Sequence, residues 1–284
     1  MNAFINLFKV RIGAAIAVAA AAGLTVEQGL TTPSALEATV LIFAVLVAAS
    51  AAGAFNQYVE RDLDVRMART RNRPFVTGAL KHGPVWLWVI GAMTLASVLA
   101  ASVAANVIAA AYVFLGAFTY GVVYTVWLKR RTWWNIVVGG LAGSFAVLAG
   151  AAAVSLTPGP EALALAVVLF LWTPPHFWSL AIACRDDYAA AGVPMLPVVV
   201  GDARAAKAIF ASAALLVGAS LVPFVFNLGV VYLACAASGG AFFLFKCRQL
   251  VRQPARQSAR AAFFASLVQL CAVLLGAMAD VALS

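Results

Sequence analysis

Apolar runs of about 20 residues, each long enough to cross a bilayer, follow one another along most of this chain and leave few architectures open. In lipid every backbone amide and carbonyl must find its partner within the protein, so spanning segments are helices or closed barrels. The alternation of apolar and polar residues that barrel strands carry is absent. Only 10% of the residues are charged and 64% are hydrophobic, whereas about a quarter of a soluble domain is charged. The expectation is an all-α membrane protein with nine transmembrane helices in a single domain over 1–284.

The predicted spans are Val10 to Thr25, Ala35 to about Asn56, Pro84 to Ala104, Val107 to Leu128, Trp133 to Val154, Glu161 to Cys184, Ala205 to Phe226, Gly229 to Phe245 and Ala261 to Val281. Pro174 and Pro175 are expected to interrupt the sixth. Lys9 and Arg11 precede the first run, but no small-residue cleavage site ends it, so it reads as an uncleaved helix and not a signal peptide. With nine spans all 19 Lys and Arg fall on one side: beside the first span, in the loops after the second, fourth, sixth and eighth spans, and at the start of the seventh. The other side carries only Glu27, Glu37, Glu161 and Asp280. By the positive-inside rule the basic side is cytoplasmic, which places the chain in the inner membrane with its amino terminus inside and its carboxyl terminus outside. The basic excess is thereby explained by topology, and no nucleic-acid partner is expected. Helices from about 10–128 and 133–245 also form two similar blocks, with the ninth span added; in each block the second helix ends in acids and opens a long loop.

The polar end of the second span carries the chemistry. Asn56, Glu60 and Asp64 recur every four residues, a step that turns a helical side chain by only about 40°. Their oxygens form one ladder on one face, and Asp62 faces elsewhere. Oxygen ligands suit Mg²⁺, a hard cation that keeps waters and bridges to substrate phosphates. Arg66, Arg69, Arg71 and Arg73 follow at once, and guanidinium forks match phosphate oxygens. Acids for a metal followed by cations for a phosphate is the arrangement that a diphosphate substrate needs.

The second block supplies Asp186 and Asp187 at the position matching Glu60 and Asp64, so that two acidic patches at one mouth can each hold Mg²⁺. His176, two turns earlier, lies in a membrane span where an ionisable side chain needs a partner or a ligand; haem iron is one such ligand. Lys129, Arg130 and Arg131 approach the same mouth. His82 reads as a solvated loop residue, and Cys184, Cys235, Cys247 and Cys271, without metal-ligand spacing, read as inert thiols.

The run Asn56-x₃-Glu60-x₃-Asp64-x₂-Met67-x-Arg69-Thr70-x₂-Arg73-Pro74 resembles the first acidic motif of the protohaem IX farnesyltransferases, or haem O synthases, a branch of the UbiA-type intramembrane prenyltransferases. Tyr124-Thr125-x-Trp127-Leu128-Lys129-Arg130, Pro175-His176-Phe177-Trp178-x-Leu180, and Asp187-Tyr188-x₂-Ala191-Gly192-x-Pro194-Met195-Leu196-Pro197 carry the same resemblance. Glu60 at the middle rung and the His-Phe-Trp run point to the haem branch, because the quinone branch usually has Asp there. Two stretches depart: Lys9-Val10-Arg11 replaces the usual Lys-Pro-Arg, and Ser144-Phe145-Ala146-Val147 replaces a Pro-rich segment ending in Trp.

The resemblance implies nine helices around a central cavity with cytoplasmic cap loops. It implies transfer of the farnesyl group of farnesyl diphosphate to a vinyl group of haem B, with addition of water, giving haem O. Mg²⁺ would be held by Asn56, Glu60, Asp64, Asp186 and Asp187, and diphosphate by Arg66, Arg69, Arg73, Lys129 and Arg130. Asn56, Glu60, Asp64, Asp187 and His176 form the implied catalytic set, with His176 facing haem. The implied partners are farnesyl diphosphate, haem B, the lipid bilayer and, downstream, haem A synthase. Two alternatives stand beside it: a prenyltransferase for a quinone-precursor aromatic acid, and a small-molecule transporter. A transporter would gather its polar residues near the bilayer midplane, whereas these gather at one mouth.

Overall fold

Capping residues and prolines set where each apolar run begins and ends. The protein is described here by a computed structural model covering residues 3–27, 29 and 32–284. A short α1 (Ala3–Leu7) leads into α2 (Val10–Val26). Ser34 and Glu37 form a reciprocal capping box that starts α3 (Ala35–Val59). Two short helices, α4 (Arg61–Arg66) and α5 (Pro74–Thr77), occupy what the sequence reads as a charged loop. Then come α6 (Val85–Ala104) and α7 (Val107–Phe118), the latter capped by Asn106 and continued by a π-helix, Thr119–Leu128. The fifth run is split at Gly140 into α8 (Asn135–Gly139) and α9 (Leu141–Ala151). The second half holds α10 (Pro160–Ala183), α11 (Arg185–Ala190), α12 (Leu196–Val200), α13 (Asp202–Ala219), α14 (Val222–Val225), α15 (Val230–Arg252) and α16 (Arg256–Leu283).

Among the described residues seven helices are long and apolar enough to cross a membrane: Ala35–Val59, Val85–Ala104, Val107–Leu128, Pro160–Ala183, Asp202–Val225, Val230–Arg252 and Arg256–Leu283. Val10–Val26 and Asn135–Ala151 are apolar but shorter. These long and short helices make a closed circuit. Each packs on its successor in chain order, α2 on α3, α3 on α6, α6 on α7, and so through α9, α10, α13 and α15 to α16, which returns to α2.

Three readings change. The eighth and ninth runs extend as helix to Arg252 and back to Arg256, so Lys246, Arg248 and Arg252 ride on α15 and not on a loop; long basic side chains lie along apolar helix ends with their charges in water. The seventh run begins at Asp202 and is divided before α14. Most informatively, Pro174 and Pro175 do not interrupt the sixth run, because α10 is helical through both. A proline in a helix leaves the carbonyl four residues back without a donor. Here that carbonyl, on Phe170, faces Gly140, whose missing side chain leaves the neighbouring backbone room to close over it: a Cβ there would stand 3.1 Å from the oxygen. Thr173 Oγ1 donates to the Leu169 carbonyl and Ser179 Oγ to that of Pro175, keeping polar groups paired on both sides of the prolines.

Small residues also bring α2 and α9 into backbone contact inside the circuit. A Cβ at Gly150 would overlap the Ala20 carbonyl, and one at Gly23 would overlap the Val147 carbonyl. At one end of the bundle a run of side chains joins the helix ends. Glu27 accepts from the Gly159 amide, Asn227 Nδ2 donates to Glu161, and Asp280 accepts from the Gly229 and Tyr232 amides. A cavity of about 590 Å³ lies at the same end, lined among others by Glu37, Asn106 and Ser155. The acids predicted for the non-basic side thus share one end. Gly150→Val is expected to lower thermal stability in detergent by about 3 kcal/mol, the cost of severe overpacking. Gly91→Ala, where a Cβ meets nothing within 4 Å, should leave the midpoint unchanged or raise it slightly.

Candidate functional site

At the opposite end α3 stops at Glu60, whose φ of −92° and ψ of 11° leave the helical region before α4 resumes. The ladder survives this break because the Glu60 amide still bonds to the Asn56 carbonyl, and the Asp64 amide to that of Glu60, at 3.0 and 2.9 Å. Asn56, Glu60 and Asp64 therefore stay in line, each no more than 2% exposed. Three anionic or polar oxygens so deeply placed require positive partners.

Each rung has one, delivered by a different element. Lys9 Nζ donates to Asn56 Oδ1 at 2.6 Å. Lys129 Nζ donates to both Glu60 oxygens at 2.6 and 2.5 Å. Arg73 Nη1 donates to both Asp64 oxygens at 2.8 and 2.7 Å. Lys9 reaches its rung through a left-handed backbone turn, φ 45° and ψ 42°, a conformation that costs a non-glycine residue about 1–2 kcal/mol. Gly53 makes way for its stem: a Cβ there would lie 3.3 Å from Lys9 Cβ and Cδ. The π-helix aims Thr125 and Lys129 at the ladder. Its wider turn pairs the Lys129 amide with the Tyr124 carbonyl five residues back, and Thr125 Oγ1, itself bonded to the Tyr120 carbonyl, accepts from Asn56 Nδ2 at 3.1 Å. Single π-turns inside apolar helices often mark working sites. Tyr120 adds its hydroxyl to Lys9 Nζ at 3.2 Å.

The second acidic patch meets the first. Asp187, on α11, accepts from the backbone amides of Ala68 and Arg69 through its two oxygens, at 3.1 and 3.2 Å. The next residue, Tyr188, accepts from Arg69 Nη2 at 3.3 Å. Burial raises the Asp64 carboxyl above its usual range, against the pull of Arg73 and with added repulsion from Glu60. Burial, reinforced by Arg73, pushes the Lys9 amine well below an ordinary lysine. An anionic ligand placed among them would favour the charged amine.

Among the described residues the other predicted site residues bond to none of these side chains. Arg66 and Asp186 are exposed. Arg130 pairs with Asp62 at 2.7 Å on the surface, both side chains at least 42% exposed, and Asp62 is held below its usual pKa chiefly by that bond. His176 is buried far along α10, packed between Trp172 and Phe263. Sequence reasoning missed Lys9, Tyr120, Thr125 and Tyr188 as contributors. Thr125 and Tyr188 stand in quoted motif runs, Tyr120 lies in the fourth span and Lys9 just before the first, but none advertises its direction without the folded backbone.

The donor chemistry fits Mg²⁺. Asn56, Glu60 and Asp64 offer only oxygen, which hard cations prefer. Among the described residues no three acidic, His or Cys side chains converge into a cage. Mg²⁺ seldom needs one, taking one or two carboxylates together with substrate phosphates and water.

The profile of the UbiA prenyltransferase family matches residues 14–268. The chain belongs to the UbiA prenyltransferase family. Among its UbiA relatives, protoheme IX farnesyltransferase 2 of Paramagnetospirillum magneticum is 55% identical over 275 residues, 97% of this chain and 95% of that protein. Protoheme IX farnesyltransferase 1 of the same organism is 46% identical, covering 98% and 97% of the two chains. The fold is that of a UbiA homolog from Archaeoglobus fulgidus bound to DMAPP and Mg²⁺, with a TM-score of 0.79, full coverage of both chains and 17% identity.

Removing one partner of a buried ion pair strands the other charge at a cost of about 3–5 kcal/mol. Lys129→Met should therefore destabilise this UbiA protein by about that amount, and adding Glu60→Gln should recover most of the loss. Thermal unfolding of the three variants in detergent reads this out directly.

Proposed function

We propose that this UbiA prenyltransferase transfers the farnesyl group of farnesyl diphosphate to a vinyl group of haem B, with addition of water, giving haem O and diphosphate. The observation that carries this reading is the buried alternation of Lys9, Asn56, Lys129, Glu60, Arg73 and Asp64, clasped to Asp187, in a chain 55% identical to a protoheme IX farnesyltransferase. Neither the quinone-precursor acceptor nor transport has comparable support.

The allylic C–O bond of farnesyl diphosphate breaks with its electron pair passing to the diphosphate. The developing charge falls where Lys9, Lys129 and Arg73 converge, with Arg69 beside them, so these cations stabilise the leaving group electrostatically. Asn56, Glu60 and Asp64, with Asp187, would hold Mg²⁺ through their oxygens. Mg²⁺, when bound, neutralises phosphate charge and acts as a Lewis acid toward the leaving group. Asp187 holds the 68–69 backbone over the site through its two amide bonds, and can do so whether or not it also meets metal. Asp186 and Arg66 are exposed and Arg130 is paired with Asp62, and they are assigned supporting roles at the mouth. The apolar helices shield the allylic cation from bulk water. The vinyl carbon then bonds to farnesyl C1, and water adds to the haem-side cation with loss of a proton. His176 ligates the haem iron.

The bilayer topology follows the same reading: nine spans around a central cavity, the basic end capped in the cytoplasm by the segments after α3 and α10, the amino terminus inside and the carboxyl terminus outside. The two blocks at 10–128 and 133–245 form a duplicated single domain, and each places a six-residue acidic helix, α4 or α11, directly after a long one. The product would pass to haem A synthase.

Asp64→Asn should cut haem O formation at least 100-fold per molecule inserted in the membrane, and, because it leaves Arg73 without its partner, should lower detergent stability by about 3–5 kcal/mol. Haem extracted from cells expressing each form and separated by hydrophobicity gives the comparison; normal haem O from the variant contradicts the metal role. A reporter active only outside the cytoplasm should work when fused after Ser284 and stay silent when fused between Arg130 and Arg131.

A further inference from the structure

His176 is held by more than burial. Its ring is stacked between Trp172, with centroids 4.0 Å apart and planes at 21°, and Phe263, 4.4 Å apart and at 29°. Phe177 meets its edge at 4.9 Å. Nδ1 lies 2.7 Å from Ser266 Oγ, and Trp172 Nε1 donates to the Ser266 carbonyl at 2.7 Å. Ser266 is fully buried, and His176 is 6% exposed. Four side chains of α10 and α16 thus fix one imidazole in position and rotation.

The hydrogen-bond network also fixes its tautomer. Ser266 Oγ is 2.6 Å from the Phe263 carbonyl as well as 2.7 Å from His176 Nδ1. A hydroxyl has one hydrogen. The carbonyl has none to give, and two oxygens 2.6 Å apart without a hydrogen between them repel. The serine hydrogen therefore lies toward Phe263, and Ser266 Oγ accepts from Nδ1–H. The other nitrogen, Nε2, then carries the lone pair. Among the described residues no donor meets it, and it is not one of the buried polar atoms sealed without a partner. A neutral imidazole with one nitrogen anchored by a neighbour and the other open is how a histidine is prepared as a metal ligand.

We propose that Ser266 is a positioning residue, which holds His176 as the Nδ1–H tautomer and so presents Nε2 to the iron of the porphyrin acceptor. This rests on the reading of the protein as a haem prenyltransferase. It adds to that reading a role for α16, the last helix, whose residues the motifs do not include. Stacking fixes the plane of the ring but leaves two orientations related by a half-turn about the Cβ–Cγ bond, and the Nδ1 bond to Ser266 selects one of them.

The test uses full-length protein in detergent, titrated with haem B and followed by its Soret band and by electron paramagnetic resonance, together with kcat and KM for haem O formation. Ser266→Thr and Ser266→Val have the same shape and differ in the hydroxyl, so packing is held constant between them. Loss of a partner to a ligating histidine typically weakens metal affinity or activity about 10–100-fold. Ser266→Val is expected to weaken haem binding by that factor, with a shifted Soret band and a raised KM for haem B, while KM for farnesyl diphosphate stays unchanged. Ser266→Thr should restore the wild-type spectrum, and His176→Ala should abolish it. Equal behaviour of Thr and Val variants, or a His176→Ala spectrum like wild type while wild type still makes haem O, would overturn the assignment to Ser266 and leave the parent reading intact. Wild-type protein that binds haem B but forms no haem O would instead overturn the parent reading.

Discussion

Buried opposite charges hold one end of this bundle together. Glu60 and Asp64 could not remain ionised at 1% and 2% exposure alone; the cost of taking a carboxylate from water is several kcal/mol even after relaxation. Lys129 and Arg73 supply the balancing charge, and each comes from a different stretch of chain. The pairing therefore ties the end of α3 to the π-helix and to the segment before α5, while Asp187 ties α11 to the same segment. Fold and site are here one set of bonds.

Those bonds also fit what a diphosphate and a metal would ask. Every cation that stabilises a resting carboxylate is a cation that phosphate oxygens would attract, and every carboxylate so released is an oxygen donor for a hard cation. Binding can proceed by exchange of partners, with little net charge moved into the protein. The left-handed turn at Lys9 belongs to the same economy of charge, since a strained backbone is tolerated where surrounding contacts fix it.

The acid ladder was legible because a four-residue spacing survives translation into three dimensions, even across the break at Glu60. The segregation of basic and acidic ends was legible too, because bilayer insertion sorts charge by loop and not by contact. Lys9 was not legible as a site residue: its direction depends on a backbone turn and on the empty space at Gly53. Thr125 and Tyr120 were hidden by the π-helix, which changes which side chains share a face and which an α-helical count misplaces. The prolines misled for a related reason. Their effect on α10 depends on a glycine 34 residues before Pro174 that approaches the freed Phe170 carbonyl, and local sequence holds no trace of that meeting. Arg130 and Asp186 looked equivalent to Lys129 and Asp187 by position alone, and the fold turned one of each pair outward.

The widened helix between Thr119 and Leu128 has a consequence for how such chains can change. An ordinary helix advances about 100° per residue, so deleting one residue there would swing everything after it by roughly a quarter turn. The amine that now meets Glu60 would then face lipid or a neighbouring helix. Length in this stretch is thus a counted quantity: an exchange of side chain leaves the register intact, and an insertion or deletion does not.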